Sequence, residues 1–222
     1  NRKNISLSRE EIRSIHLSFS QFGEDLVIIN HFRNFQHSQG VYIDVGAYDP
    51  ISLSNTLLLK KLGWRGINVD MDDKRIQKFC LLRPDDHNVV AAIARDERVV
   101  KLMRYAQGVT DRIIDVSENV EVSVCGEEAM ERSYVETKTL TSIIESSPFQ
   151  DSKIHYLNID CEGMDFEVLM GLDFDRYQPD LISIECHDEQ TLEKIETFLS
   201  PYGYKLSDKV HLTVFFKQID SF

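Results

Sequence analysis

The sequence predicts an α/β fold: a doubly wound, mostly parallel sheet with an antiparallel strand at its C-terminal end. Three observations lead there. Short apolar runs alternate with segments of helical period along the chain. The run Val41-Tyr42-Ile43-Asp44-Val45-Gly46-Ala47 is β-branched and aromatic, then stops at a small-residue turn, as a buried parallel strand does. The last two extended runs, 204–206 and 212–217, are separated by a polar turn, which makes them a terminal strand pair.

The elements follow in order. Residues 8–17 and 21–34 read as helices; in the second, Phe22, Leu26, Ile29 and Phe32 or Arg33 share a face. Ser18 with Gln21 forms an expected capping box. After the first strand, Ser52 to Thr56 supply cap residues for a Leu-rich helix through Leu62, which Gly63 stops. A strand at 66–70 and a helix near 73–83 follow, the helix ending before Pro84. Residues 88–93 are a third strand and 99–105 a fourth extended segment. Residues 107–133 carry Gly, Ser, Asp and Glu without a sustained period and read as a lid or substrate loop, with an irregular hairpin or disorder as the alternative. Then come a strand at 135–140, a short helix at 141–146, a strand at 154–159, a helix at 164–170 with Gly171 as its cap, a strand at 181–185 and a helix at 189–199. One domain spans residues 1–222, with 1–38 as an N-terminal helical segment.

Composition narrows the function. A net charge of −12 argues against a nucleic-acid or anionic-membrane surface. No apolar run approaches the roughly 20 residues that span a bilayer. The four cysteines, Cys80, Cys125, Cys161 and Cys186, lie far apart without C-x-x-C spacing, so zinc-finger and dithiol chemistry are not expected. Buried free thiols suit a reducing, cytoplasmic compartment. No apolar signal region stands behind Asn1-Arg2-Lys3-Asn4; the chain opens without Met, which leaves room for a trimmed leader.

The first strand carries the chemistry. In open α/β sheets, ligands bind beyond the carboxyl ends of the strands. Gly46 and Ala47 allow close approach to the backbone there, and Asp44 sets a carboxylate beside the opening. Gly66-Ile67-Asn68-Val69-Asp70 is a second strand ending in an acid, placed to accept hydrogen bonds from ribose hydroxyls. An adenosine ligand with a positive centre fits both, and S-adenosylmethionine is such a ligand.

Asp160 and Glu185 end two further strands, so four acids share one rim. Buried acids without partners are costly, and a shared ligand explains them better than stability does. The turns Asp160-Cys161-Glu162-Gly163 and Glu185-Cys186-His187-Asp188 leave two readings open. In one, His187 or Asp160 is a general base toward a hydroxyl. In the other, Asp160, Glu185 and His187 or Asp188 hold a divalent cation such as magnesium. Helix capping and ion pairing are the structural alternative for Asp160 and Glu185. Tyr134-Val135-Glu136-Thr137-Lys138 spells the Y-x-x-x-K of short-chain dehydrogenases, but it alternates as a strand, which separates Tyr134 and Lys138 by roughly 13 Å.

These motifs as a group resemble the FkbM-type methyltransferases, class I S-adenosylmethionine-dependent enzymes. The resemblance runs over roughly residues 20–217: Ser20-Gln21-Phe22-Gly23-Glu24-Asp25, then Tyr42 to Ala47, Ser54-Asn55-Thr56, Gly63-Trp64-Arg65-Gly66 and Asn68-Val69-Asp70. It continues through Thr139-Leu140-Thr141, Leu157 to Gly163 and Pro179 to Glu185. Two departures stand out: Cys161 replaces an aliphatic residue, and Asp70 stands where the family often has Glu. The resemblance implies a seven-stranded Rossmann-like sheet and methyl transfer from S-adenosylmethionine to a hydroxyl of a small molecule, a sugar or glycan, or a polyketide. Donor contacts are expected at Asp44, Gly46, Ala47, Asn55, Asp70, Ala92 and Asp160 and catalysis by Asp160, Glu185 and His187, and the resemblance implies that Gln21 or Asp25 reaches the donor's amino-acid end. A catalytically silent donor-binding module and a protein-modifying methyltransferase are the alternatives. The absence of an iron–sulfur cysteine triplet excludes radical chemistry.

Overall fold

The computed structural model describes residues 6–34, 39–104, 112–115 and 131–219. In chain order the elements are α1 (Arg9–Arg13), α2 (Glu24–His31), β1 (Val41–Val45), α3 (Leu57–Lys61), β2 (Arg65–Asp70), α4 (Asp73–Leu82), β3 (His87–Val90), β4 (Ala92–Ile93), β5 (Val99–Arg104), β6 (Arg112–Asp115) and β7 (Glu131–Lys138). They continue with α5 (Leu140–Glu145), β8 (Tyr156–Ile159), α6 (Asp165–Met170), β9 (Leu181–Glu185), α7 (Glu189–Leu199), β10 (Tyr204–Val210) and β11 (Thr213–Gln218).

The main sheet has seven strands in the order β10-β11-β9-β8-β1-β2-β3. Strands β9, β8, β1, β2 and β3 run parallel, and β11 is antiparallel to both β9 and β10. The strand order reverses between β1 and β8, which opens a crevice at their carboxyl ends. This is the Rossmann-like architecture expected.

The two faces of the sheet differ. On one, Ile43, Val45, Ile67, Val69, Leu157, Ile159, Ile182 and Ile184 pack with residues of α5, α6 and α7 in the largest apolar core. On the other, Tyr42, Tyr156, Leu181 and Phe215 pack with Ile28 of α2 and Leu59 of α3. That second face also carries a polar row in register: Asn88, Asn68, Asp44, Asn158 and Ser183 face one another across five strands. The strand interiors are therefore not uniformly apolar. Every buried polar side chain in such a row needs partners, and most find them within the row. Asn158 Nδ2 donates to Asp44 Oδ1 at 2.9 Å, Ser183 Oγ donates to Asn158 Oδ1 at 2.7 Å, and Asn68 Nδ2 donates to Asn88 Oδ1 at 2.8 Å.

A second, four-stranded sheet, β4-β7-β5-β6, was not anticipated. The expected strand 88–93 is split: β3 stays in the main sheet and β4 joins β7 in the second. Of the expected loop 107–133, Arg112–Asp115 and the start of Glu131–Lys138 are strands, and the remainder lies outside the described residues. Tyr134 and Lys138 sit in strand β7, so the dehydrogenase geometry is absent.

The expected capping box at Ser18 and Gln21 is replaced by a different device. The helix begins at Glu24 with Gly23 at φ 94° as its N-cap. Asp25 accepts from Ser18 Oγ at 2.6 Å, Phe19 N at 2.6 Å and Ser20 Oγ at 2.9 Å. Ser20 Oγ in turn accepts from the Gly23 and Asp25 amides. The Asp25 carboxylate thus gathers Ser18 to Ser20, and Glu24 takes the Phe22 amide at 2.8 Å. The true capping box is at Ser8 and Glu11, in α1.

Candidate functional site

The carboxyl ends of the central strands meet in a cavity of about 220 Å³. One residue beyond the aligned Val69, Val45, Ile159 and Ile184, the strands present Asp70, Gly46, Asp160 and Glu185 in one row. Asp44 lies two residues deeper, within β1, in the polar row. Three acids therefore form the rim and Asp44 forms the floor, rather than four acids sharing the rim.

Gly46 is the position at which β1 can turn. Its φ is +77°, which L side chains rarely adopt. A Cβ there would also lie 1.7 Å from the Asp160 carbonyl oxygen. The side-chain space that glycine leaves is thus taken by the turn after β8. The Gly46 and Ala47 amides both donate to the Val69 carbonyl.

Asp70 is buried, and three groups already bind it: the Tyr48 amide at 3.0 Å, the Asp72 amide at 2.8 Å and Arg75 Nη1 at 3.3 Å. Burial pushes its pKa up, and Arg75 and the amides pull against that shift. Two carboxylate oxygens offer about four acceptor positions, so room for a ribose hydroxyl remains. Arg75 also lies over the Tyr48 ring, 4.7 Å from its centroid.

Asp160 opens to the cavity. Its pKa is raised well above the ordinary carboxylate range, first by desolvation and then by the nearby Glu185, Asp165, Glu162 and Asp44 charges. Asp165, buried, accepts from the Cys161 amide at 2.7 Å and the Gly163 amide at 3.0 Å and so closes the turn after β8. Its pKa is raised to about 6, chiefly by burial. Asp160, Asp165 and Glu185 can bring oxygens within 4.8 Å of one another.

Gln21, Asp44, Gly46, Ala47, Asn55, Asp70, Ala92, Asp160 and Glu185 all line the cavity. His187 does not; it is half-exposed, with Nε2 3.1 Å from Glu185 Oε2. Several lining residues were not read from the sequence. Among the described residues, four non-glycine positions have positive φ: Tyr48, Leu53, Glu162 and His211. All four line this cavity. Such backbone strain clusters at ligand sites. His211 stacks on Phe22 with ring centroids 4.2 Å apart, joining the 18–23 loop to the β10–β11 turn across the cavity wall. Asn158 had a signal, as an amide in an otherwise apolar strand. Tyr48, Leu53 and His211 had none, because backbone strain leaves no mark on residue type.

Comparison with known families decides the lineage. The family model described as "Methyltransferase FkbM domain" matches residues 44–206, well over half of the 222-residue chain. The chain belongs to the FkbM methyltransferase family. The match takes in the β1 motif from Asp44, the Asp70 strand end, the Asp160 turn and Glu185. A search of curated proteins gave no match. No helix among the described residues is long and apolar enough to cross a membrane.

Proposed function

We propose that this methyltransferase uses S-adenosylmethionine and methylates a hydroxyl oxygen of a small molecule, a sugar or glycan, or a polyketide. The observation that carries the reading is the row of Asp70, Gly46, Asp160 and Glu185 over the Asp44 floor. Asp70 at the end of β2 would take the ribose, with Ala92 and Ile93 beside the base. The negative floor and rim suit the donor's sulfonium and ammonium charges. Asn55 and Gln21 line the same cavity and would hold the donor's amino-acid end.

The donor arrives with its methyl already activated by the positive sulfur. The chain must align the acceptor oxygen and take its proton. Asp160 suits the second task. Its basicity is raised by desolvation within the concave site and by neighbouring acids, and it faces the cavity. The hydroxyl proton passes to the Asp160 carboxylate, the oxygen pair forms the new C–O bond, and the C–S electrons return to sulfur. Glu185 holds Asp160 in this state by its charge, and His187 contacts Glu185 from outside.

The close approach of Asp160, Asp165 and Glu185 favours one second reading, a divalent cation such as magnesium that orients and acidifies the hydroxyl. His187 is not in that group. The free thiols of Cys80, Cys161 and Cys186 support a reducing, cytoplasmic setting. Incubation with methyl-labelled S-adenosylmethionine and a panel of sugars and polyketides, with and without a chelator, tests the reading. Label on acceptor oxygen supports it. Transfer only to protein would replace it with protein modification, and loss with chelator and return with magnesium would select the cation.

A further inference from the structure

Arg83 is the largest side chain that is fully buried, with 1% of its surface exposed. A buried guanidinium is costly unless its charge is matched. Its hydrogen-bond partners are nevertheless all neutral. Nη1 donates to Thr56 Oγ1 at 2.8 Å and to the Tyr42 hydroxyl at 3.4 Å. Nη2 donates to the Pro50 carbonyl at 2.6 Å and to Ser54 Oγ at 2.8 Å. Its Cζ lies 5.1 Å from the Phe79 ring centroid.

The matching charges lie one hydroxyl away on each side. Thr56 Oγ1 passes the chain on to Asp44 Oδ2 at 2.6 Å, and the Tyr42 hydroxyl passes it to Asp86 Oδ2 at 2.6 Å. Asp86 already has Lys60 Nζ at 3.0 Å. Among the described residues Asp44 has no direct cation; its other oxygen takes the Asn158 amide. The same guanidinium ties down both ends of the 50–56 segment, whose Leu53, Ser54 and Asn55 line the cavity. Leu53 there is held at φ 57°.

We propose that Arg83 is a positioning residue for the methyl-donor site: through the Thr56 hydroxyl it supplies the countercharge of Asp44, and through Pro50 and Ser54 it fixes the loop that carries Asn55. The inference rests on the donor assignment made above. Arg83 touches no reactant and acts through two groups that do.

Electrostatics agree with the geometry. Burial raises the Asp44 pKa; the Thr56 and Asn158 hydrogen bonds and the Arg83 charge lower it, and Asp70 raises it. The other charged or titratable groups around Asp44 are Tyr42 on its own strand, Asp160 after β8 and Tyr156 on β8. None of these is altered by a change at Thr56. Asp44 attracts the donor's cationic end only while ionised, so donor affinity falls as pH drops through the Asp44 pKa. Without the Thr56 hydroxyl that acid limb begins at a higher pH.

The test is calorimetric titration of S-adenosylmethionine from pH 5 to 8 into wild type, Thr56→Val, Thr56→Ser and Arg83→Lys, with melting temperatures recorded without ligand. Thr56→Val should bind about tenfold more weakly near neutrality and show its acid limb about one pH unit higher, the scale for losing a hydrogen bond to the charged form and the link it makes to Arg83. Thr56→Ser keeps the hydroxyl and should restore both. Arg83→Lys cannot span all four partners and should move the limb in the same direction. Should Thr56→Val not fold, Thr56→Ser and Arg83→Lys against wild type decide the matter. A lower melting temperature with an unmoved limb in the variants overturns the proposal and makes Arg83 a purely structural residue. A wild type that binds no donor overturns instead the donor assignment beneath it.

Discussion

Gly46 and Asp160 meet backbone to backbone. A Cβ on residue 46 would fall 1.7 Å from the Asp160 carbonyl oxygen, and Gly46 holds φ at +77°. This contact joins β1 to the turn after β8, across the point where strand order reverses. The two sides of the cavity are thus tied together by one contact.

Gly46→Ala should therefore destabilise the fold by on the order of 3 kcal/mol, from strain and collision together. Urea unfolding checks it. A variant within about 0.5 kcal/mol of wild type would mean that the contact gives way easily.

The ribose assignment depends on Asp70. Replacing it by Ala should cost the donor on the order of 1–3 kcal/mol of binding, the range for hydrogen bonds to a charged group. Asp70→Asn, which keeps an acceptor, should lose less. Calorimetry that finds Asp70→Ala at wild-type affinity removes the ribose from this residue.

Much of this was legible and some was not. Strand β9 and helix α7 fall where pattern and caps place them, because apolar runs bounded by Asp and Gly leave little choice. The Asp70, Asp160 and Glu185 strand ends could be read for the same reason. The second sheet could not: the extended runs of β5 and β7 were visible, but nothing in them shows that they pair with each other and with β6 rather than joining the main sheet. The depth of Asp44 was also hidden. A one-dimensional run ending Asp-Val-Gly shows an acid near the turn, but only the register with Asn68 and Asn158 shows it to be floor rather than rim. Arg83 has the residue type of a surface cation beside Pro84, and its burial follows from tertiary contacts alone.

Stability should carry a signature of Asp165. Its carboxyl titrates at about 6 in the fold against 3.8 as the ordinary value. The native state then binds this proton more tightly than the unfolded chain. The stabilisation from that proton is present below pH 4 and is lost as pH rises through about 6, on the order of 3 kcal/mol in all. Asp165→Asn should flatten the stability profile between those pH values. Unfolding curves at pH 4.5, 5.5 and 7 that keep the wild-type slope would assign the effect to another group.

The 18–23 loop hangs on Asp25, which holds Ser18, Phe19 and Ser20. Asp25→Ala leaves these donors without their acceptor and loosens the loop around Gln21, while Phe22 keeps Glu24 and His211. Stability should fall by about 1–3 kcal/mol, and donor affinity should fall with it. Faster hydrogen exchange at the Phe19 and Ser20 amides would mark the loop as the part that loosens, and unchanged exchange there would sever Asp25 from the site.

The most direct measurement is single-turnover transfer of labelled methyl to an acceptor hydroxyl by wild type and Asp160→Asn, followed from pH 5 to 9 with donor affinity measured in parallel. The wild-type rate should rise with pH through the raised Asp160 pKa. Asp160→Asn should lose 10²-fold or more in rate, the scale of a positioned proton acceptor, while binding donor nearly as well. An Asp160→Asn enzyme that transfers methyl at close to the wild-type rate, with the same pH profile, would contradict the account.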